Sequence, residues 1–114
     1  MTDERSADGV VDLLRLDGSG PVWGMASSDL NATLLVWPAG HELVRHTNAE
    51  RDVLLIVLEG GAVVIVDGNE HALAAGSALL IEKGKSRSLR AGEDGVRYLS
   101  VHIRRSGLHI EPFR

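Results

Sequence analysis

The chain has 114 residues, of which 44% are hydrophobic and 25% charged, and its formal net charge is −4. These values predict one soluble globular domain without a nucleic-acid partner, because nucleic-acid binding relies on clustered Lys and Arg. The chain has no cysteine, which excludes disulfides and thiol catalysis, and no apolar run near the roughly 20 residues that cross a bilayer, so we expect a cytoplasmic protein without a membrane partner.

The pattern along the chain predicts a short tail followed by a run of β-strands. Residues 1–9 are polar and are predicted to be a disordered tail, and residues 10–114 are predicted to form the domain. The segment Val10 to Leu16 fits one helical turn and a short strand equally well. Beyond the turn cluster at residues 17–21, Gly-bearing turns separate short strands. The predicted strands are residues 31–37, 53–58, 62–66, 71–73, 78–81, 86–90 and 96–103.

Strands at this spacing, without a long helical period, predict an all-β single domain built as a sandwich or barrel of two antiparallel sheets. The turn Asp67-Gly68-Asn69 predicts a hairpin inside it. We expect alternating apolar side chains to fill the interior. The predicted core includes Leu34, Val36, Leu55, Val57, Val64, Val66 and Leu80.

The segment from Gly40 to Gly60 resembles the first signature of the cupin superfamily. That signature has a glycine, five residues, His-x-His, a Glu and a closing glycine. In this chain His46 stands at the first His position and Asn48 at the second, while Val53 stands at the Glu position.

The second cupin signature is matched from Gly76 onward, where the segment Glu82-Lys83-Gly84 follows after five residues. Arg87 stands at the His position of that signature and Ala91 at its Asn position. The resemblance covers roughly residues 30 to 104. It implies a double-stranded β-helix, or jelly-roll β-barrel, as the fold.

Cupins hold a divalent metal at the open end of the barrel, usually through three His and a Glu. Of these positions, only His46 carries over. Asn48 is a weak neutral ligand, Val53 cannot ligate, and Arg87 is a fixed positive charge that repels a cation. The resemblance therefore implies that the usual metal site is absent or rebuilt.

A rebuilt site would combine His46 with Asp52 and His102, if a bulge turns Asp52 inward and the last strand points His102 into the barrel. Such a set suits iron, manganese, nickel or zinc. The alternative, which the sequence leaves open, is that these side chains form a metal-free polar barrel mouth.

Arg87 has two interpretations of its own. Its guanidinium can anchor a ligand carboxylate or phosphate through a bidentate fork, or it can pair with Asp52, Glu82 or Glu50. Asn48 and Trp37 are the accompanying ligand-binding candidates. Trp37 equally suits the core or a dimer interface.

Three functions follow as expectations. The first is a barrel that binds a small organic molecule, acidic ligands included. The second is a metal-dependent enzyme of the dioxygenase or isomerase type. The third is a structural or regulatory homodimer, because the resemblance implies a dimer. Residues 104–113 can form one more strand, and a monomer would expose its apolar side chains Leu108, Ile110 and Phe113.

Overall fold

The computed structural model describes residues 9–104, and within them the chain forms seven β-strands and no helix. In chain order the strands are β1 (Gly20–Ala26), β2 (Leu30–Trp37), β3 (Glu42–Thr47), β4 (Val53–Val66), β5 (Asn69–Ala74), β6 (Ala78–Ile81) and β7 (Ser86–Ile103). This range accordingly holds no helix suited to crossing a bilayer. The predicted tail of residues 1–9 and the additional strand predicted for residues 104–113 lie outside the described residues, apart from residues 9 and 104.

The two long strands, β4 and β7, build both layers of the molecule. The N-terminal part of β4 and the C-terminal part of β7 pair with each other, β4 also pairs with β6 and β7 with β2, and β2 pairs with β1. The result is a five-stranded sheet in the order β1-β2-β7-β4-β6. The C-terminal part of β4 and the N-terminal part of β7 pair with each other, β4 also pairs with β5, and β7 pairs with β3. These strands form a four-stranded sheet in the order β3-β7-β4-β5. All pairs are antiparallel, which confirms the predicted all-β jelly roll.

Each long strand bends where it passes from one sheet to the other. The sequence predicts separate strands on either side of these bends, but the chain continues through them with register shifts beside Glu59 and Gly60. Gly60 has φ +71° and Gly95 has φ +75°, values that side chains other than glycine rarely adopt. The glycines that predict strand breaks are therefore the corners of two continuous strands.

The core lies between the two sheets and contains side chains from both. Of the predicted core residues, Leu34, Leu55, Val57, Val64 and Val66 are buried and Val36 is half-buried.

The prediction for Leu80 is wrong, because its side chain is 55% exposed. The inward position on β6 belongs instead to Ile81, which pairs with Val53 and is 1% exposed. A one-residue change of register moves a strand residue to the opposite face of the sheet.

The segment that the sequence left ambiguous, Val10 to Leu16, forms neither helix nor strand. Arg97 on β7 holds it in place, donating from Nη1 to the carbonyl oxygens of Leu13 at 2.9 Å and Leu16 at 2.8 Å. The Nε of Arg97 also donates to Glu59 at 3.0 Å. This arginine thus ties the chain's first described residues to the five-stranded sheet.

Candidate functional site

A cavity of about 230 Å³ opens between the two sheets. Its walls come from four strands that belong to both sheets. The lining residues are Leu35, Leu43, Val44, His46, Leu55, Val64, Arg87, Ser88, Leu89, Tyr98 and Ser100. Two of them are basic and none is acidic, although the whole chain carries a formal net charge of −4.

Strand pairing places the two basic side chains beside each other. His46 on β3 is the direct partner of Arg87 on β7, and Arg87 is in turn opposite Val66 on β4. The register of β3 shifts between Leu43 and His46. In a regular strand these two residues would face opposite sides, so the shift allows both to line the cavity.

Arg87 is half-buried, and among the described residues its guanidinium has neither a carboxylate nor a hydrogen-bond acceptor as partner. The alternative that pairs it with an acidic residue is therefore wrong for Asp52 and Glu82. Asp52 accepts a hydrogen bond from the backbone N–H of Lys83 at 2.9 Å, and Glu82 pairs with Lys85 at 3.3 Å. Burial lowers the pKa of Arg87 below its ordinary value, while the nearby Tyr98 phenol acts in the opposite direction.

Tyr98 is buried at the cavity wall, and its hydroxyl oxygen accepts a hydrogen bond from Nε1 of Trp37 at 3.3 Å. Burial raises the pKa of Tyr98, and this effect outweighs the lowering by the Trp37 hydrogen bond and by the charge of Arg87. The phenol is therefore neutral at physiological pH. With its oxygen accepting from Trp37, the phenolic proton is left to donate to another group.

Trp37 does not line the cavity and contacts it through its hydrogen bond to Tyr98. Its ring stacks on that of His41, with centroids 4.1 Å apart and an interplanar angle of 2°. Among the predicted ligand-binding candidates, Trp37 therefore contacts the cavity residue Tyr98 without lining this cavity itself.

We expect the phenolate absorbance of the folded protein to appear only above the ordinary tyrosine pKa of about 10. Tyr98 is the chain's single tyrosine, so the signal reports this group alone. Because folding raises this pKa, the associated stability is present below about pH 10 and is lost as the pH rises through the folded-state value. The measurement is a spectrophotometric titration of folded and urea-unfolded protein.

The same titration tests the proximity of Arg87. Its positive charge lowers the Tyr98 pKa, so Arg87→Met should move the midpoint to still higher pH. Arg90→Met, which changes an exposed arginine of the same strand, serves as the control. A native midpoint equal to that of the unfolded chain would contradict the buried placement of Tyr98.

The structure places the three predicted metal ligands in different surroundings. His46 lines the cavity, whereas Asp52 is exposed and bound to the backbone of Lys83. His102 is half-buried, its Nδ1 lies 3.1 Å from the carbonyl oxygen of Ile103, and it does not line the cavity. In the described part of the chain, no three His, Asp or Glu side chains are grouped to hold a metal ion.

The donor set around His46 does not fit the divalent metal that cupins usually hold. The other polar groups of the cavity are the guanidinium of Arg87, the phenol of Tyr98 and the hydroxyls of Ser88 and Ser100. Metal sites in proteins are built from several imidazoles and carboxylates, and a fixed cation beside one imidazole opposes metal binding. We therefore derive no metal-dependent step from this site.

Asn48, at the second His position of the first signature, forms a turn. Its Oδ1 accepts from the backbone N–H groups of Glu50 at 3.0 Å and Arg51 at 3.1 Å. Its own carbonyl oxygen accepts from the N–H of Gly84 at 2.8 Å. Asn48 does not line the cavity, and its amide oxygen organises the connection from β3 to β4.

Tyr98 is among the polar cavity residues that the sequence analysis does not single out. The sequence feature that could have pointed to Tyr98 is its spacing of two residues from Ser100 on the last strand, which puts these two side chains on one face. Alternation alone does not say which face points inward, and that direction is set by pairing with β2 and β4.

Comparisons with known proteins agree on the fold. The family model described as cupin domain matches residues 33–102. TT1209 from Thermus thermophilus has a TM-score of 0.73 at 26% identity, covering 85% of this chain and 98% of that chain. SPY1581, a protein of unknown function from Streptococcus pyogenes, has a TM-score of 0.73 at 20% identity, covering 92% and 95%. KdgF from Halomonas sp. has a TM-score of 0.69 at 20% identity, covering 75% and 78%. No curated protein matches the chain significantly.

Proposed function

For this chain, which belongs to the cupin domain family, we propose a role as a binding protein for a small organic anion held by Arg87. The observation that carries the proposal is the half-buried guanidinium, which faces a cavity without a carboxylate and has no partner among residues 9–104. A partly desolvated charge without a partner is unfavourable, and a bound anion compensates for it.

The polar groups of the cavity suit a carboxylate. Arginine presents paired N–H donors whose geometry matches the two oxygens of a carboxylate. The Tyr98 hydroxyl, fixed by Trp37 and kept neutral by burial, can donate a further hydrogen bond. Ser88 and Ser100 offer additional hydroxyls along the same strand.

The remaining walls are apolar and suit the body of an organic acid. Leu35, Leu55 and Val64 line this part of the cavity. The volume of about 230 Å³ is below the roughly 300–1,000 Å³ of sites for drug-sized ligands. The proposed ligand is therefore a small monocarboxylate with an apolar body.

We expect the protein to bind benzoate or butyrate and to bind benzamide or butyramide much more weakly. Arg87→Met should weaken carboxylate binding by about 10- to 150-fold, which corresponds to the loss of roughly 1.5–3 kcal/mol from hydrogen bonds to a charged group. Arg87→Lys should recover only part of the loss, because an ammonium lacks the fork geometry. Isothermal titration calorimetry measures each constant.

Arg90→Met is the matched control, since Arg90 lies on the same strand, is exposed and does not line this cavity. Its affinity for benzoate should equal that of the unmodified chain. Equal binding of benzoate and benzamide, or undiminished binding by Arg87→Met, would rule the proposal out. If phosphate displaces benzoate as well as a carboxylate does, the site binds anions in general and has no preference for a carboxylate.

A further inference from the structure

One hydrogen-bond donor of the cavity has no acceptor in the described part of the chain. The Tyr98 side chain is 4% exposed, and its hydroxyl oxygen accepts from Nε1 of Trp37 at 3.3 Å. Within residues 9–104 this hydroxyl makes no other hydrogen bond, so its proton is unpaired. Buried polar groups are almost always hydrogen-bonded, and leaving one unpaired is costly. A ligand that brings an acceptor for this proton would remove that cost.

Tyr98 and Arg87 face the cavity from different sheets. Tyr98 pairs with Leu35 on β2 in the five-stranded sheet. Arg87 pairs with His46 on β3 in the four-stranded sheet. Both side chains line the same cavity, and the charge of Arg87 acts on the Tyr98 phenol. A ligand that lies between the two sheets can therefore contact both groups.

We propose that the cavity binds a keto carboxylate, with its carboxylate on Arg87 and its ketone oxygen accepting from the hydroxyl of Tyr98. This inference rests on the proposed function and names the class of ligand within it. The paired N–H donors of the guanidinium match both oxygens of the carboxylate. The donor on Tyr98 is then left for a further oxygen of the same ligand.

A ketone fits this donor better than an alcohol does. A ketone oxygen only accepts, whereas an alcohol also brings a proton that needs an acceptor of its own. Arg87 has no acceptor atom in its side-chain head group, the Tyr98 oxygen already accepts from Trp37, and no carboxylate lines the cavity. Ser88 and Ser100 can act in either role. The lining as a whole therefore favours a ligand oxygen that only accepts.

Trp37 and His41 restrain the direction of this donor. The Trp37 ring is stacked on that of His41, with centroids 4.1 Å apart. The backbone of His41 is held on both sides, since its N–H donates to the carbonyl oxygen of Pro38 at 3.1 Å and its carbonyl oxygen accepts from the N–H of Ala91 at 2.8 Å. Trp37 is thus a positioning residue, because it fixes the oxygen about which the Tyr98 proton turns.

The test compares pentanoate with 2-oxopentanoate and 4-oxopentanoate by isothermal titration calorimetry. These acids share the carboxylate and the carbon chain and differ in the ketone. We expect at least one keto acid to bind about 2- to 12-fold more tightly than pentanoate, which is the gain of one neutral hydrogen bond. Tyr98→Phe should abolish this preference, and Arg87→Met should weaken the binding of all three acids.

Trp37→Phe should reduce the preference for the keto acid, because the Tyr98 hydroxyl is then free to turn away. Trp23→Phe is its matched control, since the other tryptophan of the chain is half-buried on β1 and does not line the cavity. It should keep the preference of the unmodified chain. If Tyr98→Phe fails to fold, the two tryptophan variants still make the comparison.

Equal binding of all three acids by the unmodified chain would overturn the proposal, and so would a preference that persists in Tyr98→Phe. If pentanoate then still binds through Arg87, the anion site stands and the keto acid is the wrong class of ligand. If none of the three acids binds, the proposed function fails together with this inference.

Discussion

Gly60→Ala is expected to be strongly destabilising, with a loss of at least about 4 kcal/mol in the free energy of unfolding. Domains of this size are stable by only about 5–15 kcal/mol, so a loss of this order is a large fraction of the whole. The cause lies at the corner where β4 bends from one sheet into the other.

Two separate effects add at this corner. Gly60 has φ +71°, where a residue with a Cβ is strained by about 1–2 kcal/mol. A Cβ at Gly60 would also overlap the carbonyl oxygen of Gly95 and come within 2.9 Å of the carbonyl carbon of that residue. These are backbone atoms of β7, and both strands are held by pairing on each side of the bend, so neither can easily withdraw.

Gly68→Ala separates the two effects. Gly68 has φ +85°, but nothing lies within 4 Å of the position its Cβ would take. We expect it to lose only about 1–2 kcal/mol, the backbone term alone. Urea unfolding followed by circular dichroism gives both values. If Gly60→Ala lowers the free energy of unfolding no more than Gly68→Ala does, the backbone at Gly60 does not lie as close to the carbonyl group of Gly95 as in this structure.

Leu34→Ala is expected to lower the free energy of unfolding by about 2–5 kcal/mol. The side chain of Leu34 is 0% exposed, so its truncation leaves a cavity. Strand pairing puts Leu34 on the same face as Leu99 and Ile56, opposite to the face that carries Leu55. The loss would therefore show that the five-stranded sheet is packed on both faces near Leu34.

Leu14→Ala is the comparison, since the Leu14 side chain is 52% exposed and its loss should stay below about 1 kcal/mol. Thermal and urea unfolding of both variants measure the difference. Equal losses would mean that Leu34 is not enclosed in solution. A loss for Leu34→Ala that depends on protein concentration would assign part of the burial to association between copies.

The fold was predictable because its signals are local. Turn glycines such as Gly68 and Gly76 take positive φ where the sequence places turns, and the apolar runs at residues 53–58 and 96–103 become strands. Strand β3 escaped prediction because Glu42, Arg45 and His46 give it no apolar alternation. Its strand conformation comes from pairing with β7, and such tertiary context overrides propensity in β-structure.

The candidate site was predictable in part. Alignment to the two signatures singled out His46 and Arg87, and the structure pairs them across β3 and β7. The sequence could not show that Asp52 bonds to the Lys83 backbone, because that depends on a contact between residues 31 positions apart. Tyr98 was missed because its role depends on a cross-strand hydrogen bond from Trp37.

The two bent strands also govern how the chain reaches its fold. Since β4 and β7 each belong to both sheets, neither sheet can form without contacts between residues far apart in the chain. Loop closure must therefore precede most of the favourable contacts, and β-proteins dominated by such contacts fold in milliseconds to seconds. We therefore expect the jelly roll to assemble as one cooperative unit, and a substitution at either glycine corner to slow the formation of both sheets together.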